Sequence, residues 1–141
     1  MIHLKLFEEF SQSEPSPIEH DVDEILNSYF ETALWTDEDR MAEEVGDDSA
    51  KAFTIFDFSD ETRVRAKEEI EQFMEKAGQY LTNVTNDMIG HDFWLTRNHH
   101  GAGFWDRKEI GYEIGDKISK ICHEFRELRV VIGDDGKLYL E

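Results

Sequence analysis

Cysteine, proline and positive charge are all scarce in this chain. Cys122 is the only cysteine in 141 residues, so an internal disulfide and a cysteine-based zinc cluster are both excluded. Only two prolines occur, Pro15 and Pro17, and both precede the first helical pattern. No apolar run approaches the roughly 18 residues needed to span a bilayer, so no membrane association is expected. The opening Met1-Ile2-His3-Leu4-Lys5-Leu6 soon turns acidic and lacks the basic start and apolar stretch of a secretory signal. With so little cysteine, a reducing, cytoplasmic setting is expected.

What is present fits a packed fold. Hydrophobic residues make up 39% and aromatics 12% of the chain, too much for a disordered polymer. The length suits one domain over residues 1–141. Acidic residues number 33 against 15 basic ones, a net charge of -18. Residues 1–50 hold 15 acids against Lys5 and Arg40, and residues 51–141 hold 18 acids against 13 basic residues. A field of this sign repels phosphate backbones, so direct nucleic-acid binding is not expected. It either serves solubility alone or attracts a partner with a basic surface.

Residues 1–17 give a poorly defined segment, with Ile2, Leu4 and Leu6 alternating like a short strand and a loop through Pro15 and Pro17. The three- and four-residue steps of Val22, Ile25, Leu26, Tyr29, Phe30, Ala33 and Leu34 predict a helix over 18–35. Residues 36–50 carry seven acids and no apolar period, and read as an exposed acidic loop. Phe53, Ile55, Phe56 and Phe58 form a short hydrophobic stretch. Ser59 is a natural N-cap for a second helix, whose stripe runs from Ala66 through Ile70, Phe73 and Ala77 to Leu81 and Val84. Ile110, Ile114, Ile118, Ile121, Cys122 and Phe125 predict a third helix over about 109–127. Cys122 reads as buried filler on that stripe. Val130-Val131-Ile132, the turn Gly133-Asp134-Asp135-Gly136 and Lys137-Leu138-Tyr139-Leu140 predict a C-terminal hairpin. A lone hairpin is marginal in water, so a third strand is expected from the N-terminus, 53–58 or 93–97. The fold class expected is α+β: three main helices packed on a small, mostly antiparallel sheet.

Residues 87–108 break every period. They hold His91, His99 and His100, Trp94 and Trp105, Asp92, Asn98 and Asp106, and Arg97 and Arg107, with Gly101 and Gly103 between them. Trp and Arg are common binding anchors, which makes Trp94, Arg97, Asn98, His100, Trp105 and Arg107 candidate binding residues. His91, Asp92, Arg97, His100 and Asp106 are candidates for acid–base chemistry, with an imidazole base, an orienting carboxylate and an arginine for an anion. His91, Asp92, His100 and Asp106 also offer metal-ligand types, but their spacing matches no metal motif, and no metal or other cofactor is expected. Alternatively the aromatics are core, Arg97 and Asp106 form a buried pair, and the loop merely satisfies itself.

The run Gly90-His91-Asp92-Phe93-Trp94-Leu95-Thr96-Arg97-Asn98, followed by Gly101-Ala102-Gly103-Phe104-Trp105-Asp106-Arg107, resembles the signature of a widespread family of small uncharacterised bacteriophage proteins. Tyr29-Phe30-Glu31-Thr32-Ala33-Leu34-Trp35 and Gly133-Asp134-Asp135-Gly136-Lys137-Leu138-Tyr139 fit the same family. That family typically carries Gly where this chain has His99, so His99 is not expected to be an essential ligand. The resemblance implies a phage origin and residence in the host cytoplasm, and assigns no activity. Two functions are therefore expected to compete. One is a non-enzymatic acidic protein that binds a basic host or phage protein, such as a nucleic-acid mimic acting on a nucleic-acid-processing or defence factor. The other is a small enzyme or ligand-binding protein with a His/Asp/Arg site at residues 91–106, working with or without a metal.

Overall fold

The structure is a computed structural model and describes residues 19–141; the alternating Ile2–Leu6 segment and the loop through Pro15 and Pro17 lie outside the described residues.

Helix α1 spans Val22–Val45. Asp21 caps it by accepting from the backbone N–H of Asp23, and Asp23 and Glu24 oppose the positive end of its dipole. Its inner stripe buries Ile25, Leu26, Tyr29, Phe30 and Ala33. Residues 36–45 do not form the expected acidic loop; they continue the helix. Tertiary ties replace the missing apolar period: the Val130 N–H donates to Asp37 at 2.7 Å, Arg40 donates to the Val130 carbonyl at 2.5 Å, and Met41 is buried. The helix stops at Gly46, whose positive φ of 90° lets its N–H reach the Ala42 carbonyl at 2.9 Å.

Two short 3₁₀ turns follow, Asp48–Ala52 and Ile55–Asp57, the second closed by a Thr54/Asp57 capping box. They bring Phe58 onto Phe30, with ring centroids 4.0 Å apart and planes 12° from parallel. Helix α2, Asp60–Ala77, starts at Ser59 as its sequence predicts, with the Ser59 hydroxyl accepting from the Thr62 N–H. It is shorter than its stripe. The helix gives way at Gly78 to a 3₁₀ turn ending at Tyr80, and Leu81 and Val84 reach the core from the chain beyond.

The segment read as a loop contains a fourth helix, α3, Asn86–Arg97. Thr85 caps it by accepting from Met88 N–H. It runs alongside α1 in the same direction, since Asn86 bonds Asp21 and Glu24 while Trp94 bonds Thr36. Gly90 permits the approach: a Cβ there would lie 2.7 Å from Tyr29 N and 2.8 Å from Ser28 Cβ, both on α1. Helix α4, Tyr112–Cys122, is shorter than 109–127 at both ends. Ile110 and Phe125 still pack against the core from the flanking turns.

Strands β1, Val130–Ile132, and β2, Leu138–Leu140, pair antiparallel in the register Val130↔Leu140, Val131↔Tyr139, Ile132↔Leu138. A third strand from 93–97 is ruled out because those residues are helical. Residues 53–58 contribute one parallel bridge, Phe58↔Leu138, with Ser59 N–H donating to the Leu138 carbonyl at 2.9 Å. The described chain is thus α+β, with four main helices where three were expected, and a two-stranded antiparallel sheet. Tyr29, Phe30, Phe73, Phe93, Trp94 and Phe104 fill the common core. Among the described residues no helix is long and apolar enough to cross a membrane.

Candidate functional site

Because the signature runs along α3 and the following turn, its polar side chains leave in different directions. One group points inward. Arg97 has no exposed surface and donates to Glu69 Oε1 and to the Tyr29 hydroxyl, each at 3.0 Å, and to the Arg126 carbonyl from Nε at 3.0 Å and Nη2 at 2.7 Å. Burial opposes its charge, yet Tyr29 and Glu69 outweigh that and hold the guanidinium above the usual arginine range. Burial likewise pushes the Tyr29 phenol above its ordinary range, against the pull of Arg97. Trp94 is buried and donates from Nε1 to the Thr36 hydroxyl at 2.8 Å. Asn98 binds the Trp94 carbonyl and receives the Leu128 N–H at 2.7 Å. Trp94, Arg97 and Asn98 were candidate binding residues; their polar groups instead join helices to one another and to the chain leading into β1.

A second group lines a cleft of about 340 Å³ that includes His91, Asp92, Gly103, Asp106 and Arg107. Asp92 is buried and accepts from His91 Nδ1 at 3.0 Å and from Arg107 through both Nε and Nη2, the latter at 3.0 Å. These hydrogen bonds hold Arg107 above its ordinary range. The expected Arg97–Asp106 pair does not form: Arg97 takes Glu69, Arg107 takes Asp92, and Asp106 is exposed.

His100 falls in neither group. It lines a separate cleft, also about 340 Å³, with Thr96, His99, Trp105, Tyr112, Asp116, Ser119 and His123. The residues expected to share one acid–base site are therefore divided among a buried ion pair and two clefts. Among the described residues no group of three or more His, Cys, Asp or Glu side chains could hold a metal ion. Cys122 is buried, and burial pushes its thiol well above the ordinary range, so it is no nucleophile.

One surface feature escaped the sequence reading. Asn27, Glu31, Trp35, Asp39 and Glu43 recur every fourth residue of α1, and all are exposed, so they form one ridge. Trp35 sits at the middle of that ridge with 66% of its surface exposed. One face of its indole stacks on His91, with ring centroids 6.2 Å apart and planes 21° from parallel. Helix α1 carries eight acids and one base, Arg40, whose guanidinium is engaged with Asp37, Glu44 and the Val130 carbonyl. A helix of unbroken length with a solvent-facing tryptophan was hidden because residues 36–45 lack an apolar period. No protein-family model, curated protein or solved structure matches this chain.

Proposed function

We propose that the chain is a phage-encoded, non-enzymatic interaction protein of the host cytoplasm that binds a basic surface of a host or phage protein through the outer ridge of α1. The observation that carries this reading is Trp35, 66% exposed between the carboxylates of Glu31 and Asp39 on a helix whose only base is turned to β1. An exposed aromatic anchor ringed by charge of one sign fits a partner of the opposite sign, with the indole supplying short-range affinity and the carboxylates steering the encounter. Lysine and arginine side chains of such a partner gain further from the indole face. A partner that normally grips nucleic acid is the class best suited, since its groove already complements a row of negative charge. The signature resemblance supports the phage origin.

The test is affinity capture from bacterial lysate at low and high ionic strength, with the native chain, a Trp35→Ala variant and a Glu31→Gln/Asp39→Asn/Glu43→Gln variant. The native chain should retain a partner at about 50 mM salt and release it at about 500 mM, where screening is nearly complete. Trp35→Ala should weaken the purified complex by about 2 kcal/mol, roughly thirtyfold in Kd. Capture of nothing at any salt, or full binding by both variants, defeats the proposal.

A further inference from the structure

We propose that the cleft walled by Trp105 and Tyr112 binds the alkylammonium head group of an organic cation. The cleft lies between the turn after α3 and the outer face of α4, away from the α1 ridge, and its about 340 Å³ suits a small head group. Two large rings open into it: Trp105 is 46% exposed and Tyr112 is 78% exposed. Trp105 is presented from a fixed backbone. A Cβ added at Gly115 would lie 2.9 Å from both Trp105 Cα and the Phe104 carbonyl oxygen, so α4 is pressed against this turn, and Phe104 beneath it is fully buried.

The charges around the cleft select the ligand. Its lining includes the carboxylate of Asp116 and no lysine or arginine. Lys120 approaches Asp116 Oδ2 at 3.1 Å, but it is 76% exposed, and such surface pairs yield readily to a better-placed cation. Glu127 adds a second carboxylate 3.5 Å from His99 Nε2. His123 donates from Nε2 to the Thr96 carbonyl at 3.1 Å and stacks on His99 at 4.2 Å, so both imidazoles are oriented by contacts of their own. The lining itself offers an anion the Asp116 carboxylate and no lysine or arginine, and the nearest ammonium, Lys120, is already engaged by Asp116. An alkylated ammonium finds two exposed aromatic side chains and a carboxylate in the same lining, the residue types that recognise quaternary and alkylated ammonium groups elsewhere.

The test is a titration of intrinsic tryptophan fluorescence, confirmed by calorimetry, at about pH 8, above the ordinary imidazole range. The probes are choline, its uncharged isostere 3,3-dimethylbutan-1-ol, and a short unstructured peptide bearing one trimethyllysine. Choline should bind saturably, and the neutral isostere at least about fivefold more weakly. Trp105→Ala and Tyr112→Ala should each weaken choline by roughly five- to tenfold, while Trp105→Phe should keep most of the affinity. Tyr112 is so exposed that its truncation tests the site without touching the core. Whichever of choline and the peptide binds more tightly identifies the source of the head group. Equal binding of choline and its neutral isostere, or no saturation by either cation up to about 50 mM, overturns the assignment.

Discussion

Both carboxylate oxygens of Asp92, on α3, are held by the guanidinium of Arg107, fifteen residues along the chain. The Asp92 side chain is 3% exposed and that of Arg107 22%. The pair anchors the turn that carries Phe104 and Trp105 back onto α3. Removing the arginine leaves a largely buried carboxylate with only His91 as a side-chain partner. Arg107→Ala should therefore cost about 3 kcal/mol in urea unfolding. Arg107→Lys should recover less than half of that, because an ammonium cannot match both oxygens at once. A loss under about 1 kcal/mol for Arg107→Ala would mean that Asp92 is solvated rather than paired.

Arg97 ties three elements together: α1 through Tyr29, α2 through Glu69, and the approach to β1 through the Arg126 carbonyl. Arg97→Met fills similar volume but orphans the Tyr29 hydroxyl, Glu69 and that carbonyl. It should destabilise by about 3–5 kcal/mol, measured as the shift in urea midpoint. Tyr29→Phe removes one neutral partner and should cost only about 1 kcal/mol. If the two substitutions cost the same, the bonds to Glu69 and the Arg126 carbonyl add nothing beyond the hydrogen bond between Arg97 and Tyr29.

These two arginines also explain what the sequence concealed. The stripes of α2 and α4 and the Val130–Leu140 hairpin were legible, because each has one apolar face and one wet one. Helix α3 was not: it is covered on nearly every side, so Asp92, Thr96 and Arg97 are as buried as Phe93 and Trp94. Polar side chains mixed among aromatics look like a loop when their partners, Arg107, Glu69 and Tyr29, lie 15, 28 and 68 residues away. Thr85, a good N-cap residue, was the local signal for its start. The end of α1 had a similar signal in Gly46, but ties to Val130 ninety or more residues away hold residues 36–45 helical. The candidate site was legible only as a stretch of suitable residue types. Helical geometry separates His91 from His100 and turns Arg97 inward, and residue types alone do not carry that geometry.

Gly90→Ala should damage the fold more than any other single methyl group added to α3. The new Cβ would collide with Tyr29 N and Ser28 Cβ, and closer still with the Ile25 carbonyl oxygen. These are atoms of α1, and mostly backbone, so the helices must separate. A cost of at least about 2 kcal/mol is expected, read as a lower melting temperature with retained helical circular dichroism. Gly78→Ala is the matched control, since its added Cβ meets only the flexible end of Met74 at 3.6 Å. It should be neutral or slightly stabilising, and equal losses in the two variants would deny the close α1–α3 contact.

The strongest pH dependence should lie on the alkaline side. Burial raises the Cys122 thiol above its ordinary 9.0 and the Tyr29 phenol above its ordinary 10.0, so the folded chain holds both protons where the unfolded chain has released them. A group raised in the folded state gives its full contribution below the unfolded value and loses it as pH climbs toward the folded one. Stability should thus hold up to about pH 9, then fall by about 1.4 kcal/mol per pH unit from Cys122, and by roughly twice that above about pH 10 as Tyr29 joins. Lysine deprotonation adds a background that is common to all variants. Comparing the native chain with Cys122→Ala and Tyr29→Phe in urea at about pH 7, 9, 10 and 11 removes that background, and each substitution should flatten its own part of the slope. Parallel pH profiles for all three proteins would show that neither proton is retained by folding, and hence that Tyr29 and Cys122 reach water more easily than their burial implies.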